Sequence, residues 1–397
     1  MTFPSVYATA DELSRLPIPS PEAQAHSEKL IARIVDEIAA CGGRISFARY
    51  MELALYAPGL GYYSGGSRKF GAAGDFVTAP EISPLFSRCL ARQTADVLRE
   101  LGGGAVLEVG AGSGVMAAEV LAELEAVDAL PEQYDILELS GELRARQRET
   151  LEARAPQLVE RVRWLDALPP PGFRGVALAN ELLDALPVHC FQVTADGVQE
   201  RFVGWNGECF EWVLASPEDA QLAARFFDIA KDLSVGYASE LNLAAEGWIA
   251  SIAAWLTAGV ALLVDYGFPR HEYYHPQRTG GTLMCHYRHR AHDDPFVYPG
   301  LQDITAHVDF TAVAEAAVNA GLHVAGYNTQ GFFLLASGLT ELAPQVEDAR
   351  QQIMLAQQIR TLTLPGEMGE RFKVMALSRN YDAPLRGFAL QDLRGRL

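Results

Sequence analysis

The sequence predicts an α/β protein: a doubly wound, mostly parallel sheet, preceded by an N-terminal helical cap and interrupted by a β-rich insertion. Three observations predict it. Short apolar runs alternate with helical patterns between residues 105 and 179, the alternation that a parallel sheet covered by helices on both faces requires. The first run, Ala105–Val109, leads directly into Gly110-Ala111-Gly112-Ser113-Gly114. The buried-strand pattern then lapses and returns at Val260–Val264, after a stretch with hairpin signals.

The elements follow in order. Residues 1–20 read as a flexible arm ending in the Pro17, Pro19, Pro21 cluster. Leu30, Ile31, Ile34, Val35 and Ile38 form one apolar stripe of a helix from Pro21 to Ala40. A second helix covers Ser46–Tyr56 and stops at Pro58-Gly59. Gly59–Ser83 carries too many glycines for a helix or a central strand and reads as a long ordered loop. A helix over Ser83–Leu101 ends at Gly102-Gly103-Gly104.

Within the sheet region, strands are predicted at Ala105–Val109, Tyr134–Glu138, Arg161–Trp164 and Gly175–Ala179, with helices to Leu124 and over Gly141–Ala153. Val188–Val213 reads as short antiparallel strands with turns at Asp196-Gly197 and Asn206-Gly207. An apolar helix near Leu241–Leu256 suits a dimer contact, a partner or simply core. The C-terminal part offers a helix near Phe310–Ala320, a strand near Leu322–Tyr327, a helix over Leu342–Leu362 and a last, antiparallel strand at Phe372–Leu377. The expected division is arm 1–20, cap and lid loop 21–101, core 102–187, inserted substrate element 188–257, core 258–380 with a loop insertion at 268–309, and tail 381–397.

A chain of 397 residues allows two or three domains, or one elaborated domain. Hydrophobic residues at 49% and charged residues at 21% are ordinary for a globular protein. The net charge of −18 repels phosphate backbones, which argues against nucleic acid and favours a basic peptide or protein partner. Cys41, Cys89, Cys190, Cys209 and Cys285 are odd in number and scattered, so neither a disulfide framework nor a zinc site is expected, and a reducing compartment fits. The most apolar stretch, Trp248–Val264, is too short to span a bilayer. The N-terminus shows neither an apolar signal core nor Arg-rich transit character. These observations place the protein in the cytoplasm.

The glycine loop carries the chemistry. A strand that ends in a glycine-rich turn and opens a helix presents backbone N–H groups and admits a ligand close to the main chain. The spacing is GxGxG, with Val115 where the dinucleotide fingerprint has its third glycine. Glu108 stands two positions before the loop. Glu138, at the end of the next strand, suits the two hydroxyl donors of a ribose, with Leu139 beside it, and Asp166 after the following strand suits an adenine amino group. An acid before GxGxG, a strand-terminal acid and then an Asp form the layout of a class I S-adenosylmethionine (SAM) methyltransferase with a Rossmann-like sheet. An NAD-dependent oxidoreductase would share the fold but lacks its glycine at Val115; a SAM-binding assembly factor without turnover shares every cofactor residue.

Several segments together resemble one family: GLGYY (Gly59–Tyr63), GDFVTAPEIS (Gly74–Ser83), LEVGAGSG (Leu107–Gly114), NELLDALPV (Asn180–Val188), VDYG (Val264–Gly267), HDDP (His292–Pro295), QDITAHVDF (Gln302–Phe310), TQG (Thr329–Gly331) and MGERFKVM (Met368–Met375). This is similar to the MidA-like family, whose eukaryotic members are mitochondrial methyltransferases needed to assemble respiratory complex I. The resemblance implies methyl transfer from SAM to an arginine of a protein, symmetric dimethylation in the mitochondrial members, and a respiratory-complex subunit as a candidate partner. Without a transit peptide, this chain looks like a bacterial relative with a substrate of its own.

Other residues are weighed on chemistry. Asn180-Glu181 ends the fourth strand, at the edge where open α/β sheets place their sites. The Glu181 carboxylate can hold a guanidinium in bidentate fashion, with Asp184 assisting, or the pair can cap a helix. Asp265, directly after the fifth strand, is a third catalytic candidate, better placed than Asp303, His307 or Asp309. Thr78 and Pro80 belong to a lid contacting the methionine end of SAM, or to a plain helix cap with Glu81 and Ser83. His271-Glu272-Tyr273-Tyr274-His275 spells HExxH, but flanking Pro269 and Pro276 deny it the helix that a zinc site needs, and no metal is expected. His286, His289 and His292 with Arg288 and Arg290 make a local basic patch, read as a loop near the active-site mouth.

Overall fold

The computed structural model describes residues 16–65 and 77–397. In chain order the described elements begin with α1 (Pro21–Ala40), β1 (Arg44–Ser46), α2 (Phe47–Tyr56), α3 (Ala79–Ile82), α4 (Pro84–Leu101) and β2 (Ala105–Val109). There follow α5 (Val115–Ala126), β3 (Tyr134–Leu137), α6 (Gly141–Arg154), β4 (Val162–Leu165), β5 (Phe173–Asn180), β6 (His189–Thr194), β7 (Gly197–Trp205) and β8 (Phe210–Ala215). Then come α7 (Ala220–Ala230), β9 (Ala238–Leu241), α8 (Leu243–Trp255), β10 (Leu256–Phe268), α9 (Arg270–Tyr273), β11 (Met284–Tyr287), β12 (Arg290–His292), β13 (Asp303–Thr305) and β14 (Val308–Asp309). The chain continues with α10 (Phe310–Asn319), β15 (His323–Thr329), α11 (Gln330–Ala336), α12 (Leu339–Leu342), α13 (Ala349–Thr363), α14 (Met368–Arg371) and β16 (Phe372–Arg379).

These elements form two units. One takes residues 77–183, 246–269 and 310–397, the other 16–65, 184–245 and 270–309. The first boundary falls after the Gly59–Ser83 glycines rather than at residue 101. α4 belongs with the sheet because its apolar face (Leu85, Phe86, Cys89, Leu90, Val97, Leu98) enters the same core as Val106, Leu121 and Leu178. The expected arm (residues 1–15) and the middle of the long loop (66–76, including Asp75) lie outside the described residues.

In the sheet unit seven strands run in the order β15-β16-β10-β5-β2-β3-β4. β2, β3, β4, β5 and β10 pair in parallel. β16 is antiparallel to both neighbours, β10 and β15, as expected for the last strand. The strand order reverses between β2 and β5, so the loops leaving their C-terminal ends diverge there. Open α/β sheets bind ligands at such a switch point. At the opposite ends two paired positions require glycine: Gly175 and Gly259 have positive φ, and a Cβ on Gly259 would lie 1.9 Å from the Gly175 carbonyl oxygen. α8 supplies Ile249, Ile252 and Trp255 as buried core, with Trp255 edge-on to Phe173, which favours the core reading of that apolar helix. The predicted helix over Leu342–Leu362 starts later, at Ala349, where Asp348 caps it by accepting from Gln351 N at 2.8 Å. Residues 381–397, the C-terminal tail, are bonded to the sheet unit: the Arg386 guanidinium forks onto Asp96 (2.7 and 3.0 Å), and Leu393 N donates to the Tyr327 carbonyl.

In the other unit, Ser20 and Ser46 cap α1 and α2. One sheet has the path β1-β7-β6-β9 with β8 also paired to β7, and a second has the order β12-β11-β13. Leu30, Ile34, Ile38, Phe47, Tyr50, Val203 and Phe210 share its core.

Candidate active site

The glycine loop takes the conformation its sequence demands. Gly110, Gly112 and Gly114 have φ of 71°, 51° and 82°, a region that costs other L-residues about 1–2 kcal/mol each. Gly114 has a second reason: a Cβ there would meet Gln147 Cα at 2.9 Å. Ala111 is buried beneath the turn, and Gly110 is exposed on it. Ser113 donates its hydroxyl to Glu81 of α3, which ties the glycine turn to the segment carrying Thr78 and Pro80. Pro80 lies in the first turn of α3, where its missing N–H costs nothing, while Thr78 makes no side-chain cap. Ser83 caps α4 instead.

Gln147 connects the loop to the next strand. Its amide nitrogen donates to Gly112 O and to Glu138 Oε2, each at 3.1 Å, and its oxygen accepts from Trp164 Nε1 at 2.9 Å. Glu138 Oε1 accepts from Ser140 N at 2.9 Å. Burial pushes the Glu138 carboxyl up, opposed by the Ser140 and Gln147 hydrogen bonds. Next to it Leu139 is 80% exposed, an apolar surface beside a fixed carboxylate. Arg144 joins the ends of β3 and β4 by donating to the carbonyls of Glu138 and Leu165 (2.5 and 2.7 Å). The same guanidinium pairs with Asp166 at 2.8 Å, so the Asp166 side chain, 90% exposed, is already partnered where an adenine amino group was expected to meet it.

Glu108 points into the interior. It is fully buried, its Oε2 accepts from the Tyr134 hydroxyl at 2.5 Å, and its Oε1 has no hydrogen-bond partner among the described residues. Burial raises its carboxyl to about 7, with the Tyr134 bond acting against the shift.

Across the switch point, Asn180 ends β5 and donates to Glu181 Oε1 at 3.1 Å; its own Oδ1 is buried without a hydrogen-bond partner among the described residues. Glu181 has a φ of 51°, a position that costs a glutamate about 1–3 kcal/mol and persists only where surrounding bonds impose it. Its N–H donates to Val264 O at 2.8 Å. Asp265 is 1% exposed, and both its oxygens serve the backbone: Oδ2 accepts from Leu183 N at 2.8 Å and Oδ1 from Tyr266 N at 2.9 Å. Asp184 belongs to the other unit, where its carbonyl accepts from Ala306 N at 2.9 Å. In that unit Tyr63 donates to Asp303 at 2.9 Å, and the HExxH segment forms a single helical turn with Tyr273 and Tyr274 buried. His286 and His292 lie on paired strands, their basicity lowered by burial, while Arg288 and His289 form the positive-φ turn between those strands.

The residues fit the expected cofactor. SAM presents an ammonium, a carboxylate, a ribose diol and an adenine. Glu138 offers carboxylate acceptors for the diol, Leu139 an apolar face, Asn180 Oδ1 an unsatisfied acceptor for a donor group, and the glycine turn an open main chain. Sequence reasoning missed Gln147, Arg144 and the Glu81–Ser113 pair. No residue pattern marks a lone Gln on the polar helix GELRARQRET, and partners some thirty positions apart share no spacing rule.

Comparison with known proteins decides the family. A family profile described as "Putative S-adenosyl-L-methionine-dependent methyltransferase" matches residues 89–328. The chain belongs to that family. A crystal structure of a superfamily member from Burkholderia thailandensis, bound to S-adenosyl-homocysteine, is 50% identical, with a TM-score of 0.92 over 96% of this chain and 100% of that one. Protein arginine methyltransferase NDUFAF7, mitochondrial, of Rattus norvegicus is 30% identical over 84% of this chain and 81% of its own length. The Drosophila melanogaster homolog of that name is 29% identical over 94% of this chain and 91% of its own. This SAM-dependent methyltransferase therefore carries the MidA-like fold and cofactor that its motifs implied. The cytoplasmic placement does not stand, because these relatives are mitochondrial by name. Among the described residues no helix is long and apolar enough to cross a membrane.

Proposed function

We propose that this methyltransferase transfers a methyl group to an arginine guanidinium of a protein, with Glu181 as the carboxylate that holds the guanidinium. The observation that carries the proposal is Glu181 itself: an acid kept in a left-handed conformation at the end of β5, beside the switch point. Backbone strain of this kind gathers where a side chain must be aimed. The relatives named as protein arginine methyltransferases support the choice of acceptor, and a chain with a net charge of −18 favours a basic partner.

SAM, when bound, supplies an electrophilic methyl on a sulfonium. The protein's part is positioning and proton handling. Glu138 would hold the ribose, Leu139 would line the adenine, and the glycine turn with Asn180 would receive the methionine end. The Glu181 carboxylate would accept two guanidinium N–H bonds, direct one nitrogen, and receive the proton that this nitrogen loses on methylation. A guanidinium holds its protons tightly until the methyl group arrives, so the proton leaves with the transfer and needs an acceptor at the attacking nitrogen, which the carboxylate would supply. A respiratory-complex subunit is the partner class the family resemblance favours.

Radiolabelled transfer from SAM into a lysate of cells lacking the chain, followed by acid hydrolysis, tests the reading. Label should appear in methylarginines, and Glu181→Ala should slow its appearance to a low but measurable rate while SAM still binds. Label in any other amino acid would reject arginine as the acceptor.

A further inference from the structure

We infer that Asp265 is a positioning residue: its carboxylate holds the turn after β5 so that Glu181 stays left-handed, and it acts on the reaction only through Glu181. The inference rests on the reading of Glu181 given above.

The geometry is that of a clasp. Two consecutive residues of β10 grip the turn on either side of Leu182: Val264 O accepts from Glu181 N, and Asp265 Oδ2 accepts from Leu183 N, both at 2.8 Å. The other oxygen, Oδ1, accepts from Tyr266 N at 2.9 Å, which fixes the rotamer of the clasping side chain. A carboxylate whose two oxygens are both spent on backbone N–H groups is oriented as a fixed acceptor and is poorly placed to shuttle protons. Glutamate leaves the left-handed region unless neighbouring bonds prevent it. A return of Glu181 to the right-handed region would swing its Cβ across the turn, draw the carboxylate away from the strand end and carry Leu183 N off Asp265 Oδ2. The Asn180 carboxamide, donating to Glu181 Oε1, adds direction to the side chain but does not constrain its φ. Val264 thus anchors the start of the turn, and the Asp265 side chain anchors its far end.

Hydrogen exchange resolved at single amides reads the clasp without any acceptor substrate. Asp265→Asn keeps the shape and presents an amide where Leu183 N or Tyr266 N needs an acceptor. Exchange at the Glu181 and Leu183 amides should quicken at least tenfold, with Val260–Val264 unchanged. Glycine adopts positive φ without strain, so Glu181→Gly combined with Asp265→Asn should bring protection at position 181 back to within about threefold of wild type. Unaltered protection in Asp265→Asn overturns the inference. If Asp265→Asn alone does not fold, the double variant decides: recovery of a folded protein supports the clasp, and continued failure overturns it.

Methyl transfer into the same lysate at saturating SAM then tests the route. Asp265→Asn should slow transfer to within twofold of Glu181→Ala, the two together should be no slower than Glu181→Ala alone, and SAM affinity should stay within threefold throughout. Multiplying losses would mean that Asp265 acts on its own and would refute the proposal. If Glu181→Ala transfers as wild type does, the reading of Glu181 fails, while the exchange measurement still reports whether Asp265 holds the turn.

Discussion

Replacing Glu108 by glutamine should stabilise the protein, by an amount that grows as pH rises from 4.5 to about 7 and is complete above that. Glu108 is fully buried; one oxygen accepts from Tyr134 and the other has no hydrogen-bond partner among the described residues. Its carboxyl rises from 4.5 to about 7 in the folded chain, a difference of 7 − 4.5 = 2.5. At about 1.4 kcal/mol per unit, the ionised form costs the native state roughly 3 kcal/mol. The sign follows from proton linkage. Between pH 4.5 and 7 the native state binds a proton that the unfolded state has released, so stability falls as pH rises through this window. Below it both states are protonated; above it both are ionised and the whole penalty applies. Glutamine is the neutral isostere: it keeps an acceptor for Tyr134 and never ionises. For a unit of roughly 200 residues, 1 kcal/mol shifts the melting temperature by about 2–4 °C. Glu108→Gln should therefore melt about 6–12 °C above wild type at pH 8.5 and close to it at pH 4.5. Calorimetric melts of both proteins at the two pH values are the assay. A difference of equal size at both, or a variant that melts lower at pH 8.5, would refute the reasoning.

Three further outcomes are expected. Tyr134→Phe removes the donor that favours the ionised Glu108, so the carboxyl rises further and about 1–3 kcal/mol of stability is lost at pH 8.5, with a smaller loss at pH 4.5, again read by melting. Glu138→Gln removes the carboxylate proposed for the ribose; isothermal titration should show SAM affinity falling about ten- to hundredfold while the melting temperature holds. Gly114→Ala must place a Cβ against Gln147 Cα in a left-handed backbone, so SAM affinity should fall more than about tenfold and stability by at least about 1–2 kcal/mol. An alanine variant that binds SAM as wild type does would show that α6 shifts freely.

Much of the sheet could be read from the sequence because its cues are local. Apolar runs of strand length, the left-handed glycines of the loop and the turn at Gly102 each announce themselves within a few residues. The tertiary partners of α4 could not be read: Leu85, Phe86 and Leu90 declare a buried face, but nothing in their spacing says whether a cap or the sheet covers it. The same limit governs the site. Glu138 was visible because it ends a strand, and Gln147, which connects it to the glycine turn, was not, because a polar residue on a polar helix carries no sign of where it points. Asp265 looked like a catalytic acid for the reason that made Glu181 look like one, namely its place after a parallel strand. The hydrogen bonds distinguish them: one carboxylate accepts from the main chain at Leu183 and Tyr266, while the other accepts from the Asn180 side chain and sits on a left-handed backbone.

The place of β16 bears on how the protein is made. It lies between β10 and β15, both of which precede it in sequence. During synthesis the ribosome releases β2, β3, β5 and β10 long before residues 372–379 emerge, and in that interval β10 presents an unpaired edge of near-continuous apolar residues, Val260 to Val264. An open apolar edge is a template for pairing with other chains. Closure by insertion of a late strand couples residues more than a hundred positions apart, which slows the final step. A nascent chain of this design keeps that edge open between synthesis and closure, and truncations ahead of residue 372 should accumulate as aggregates rather than as smaller folded domains.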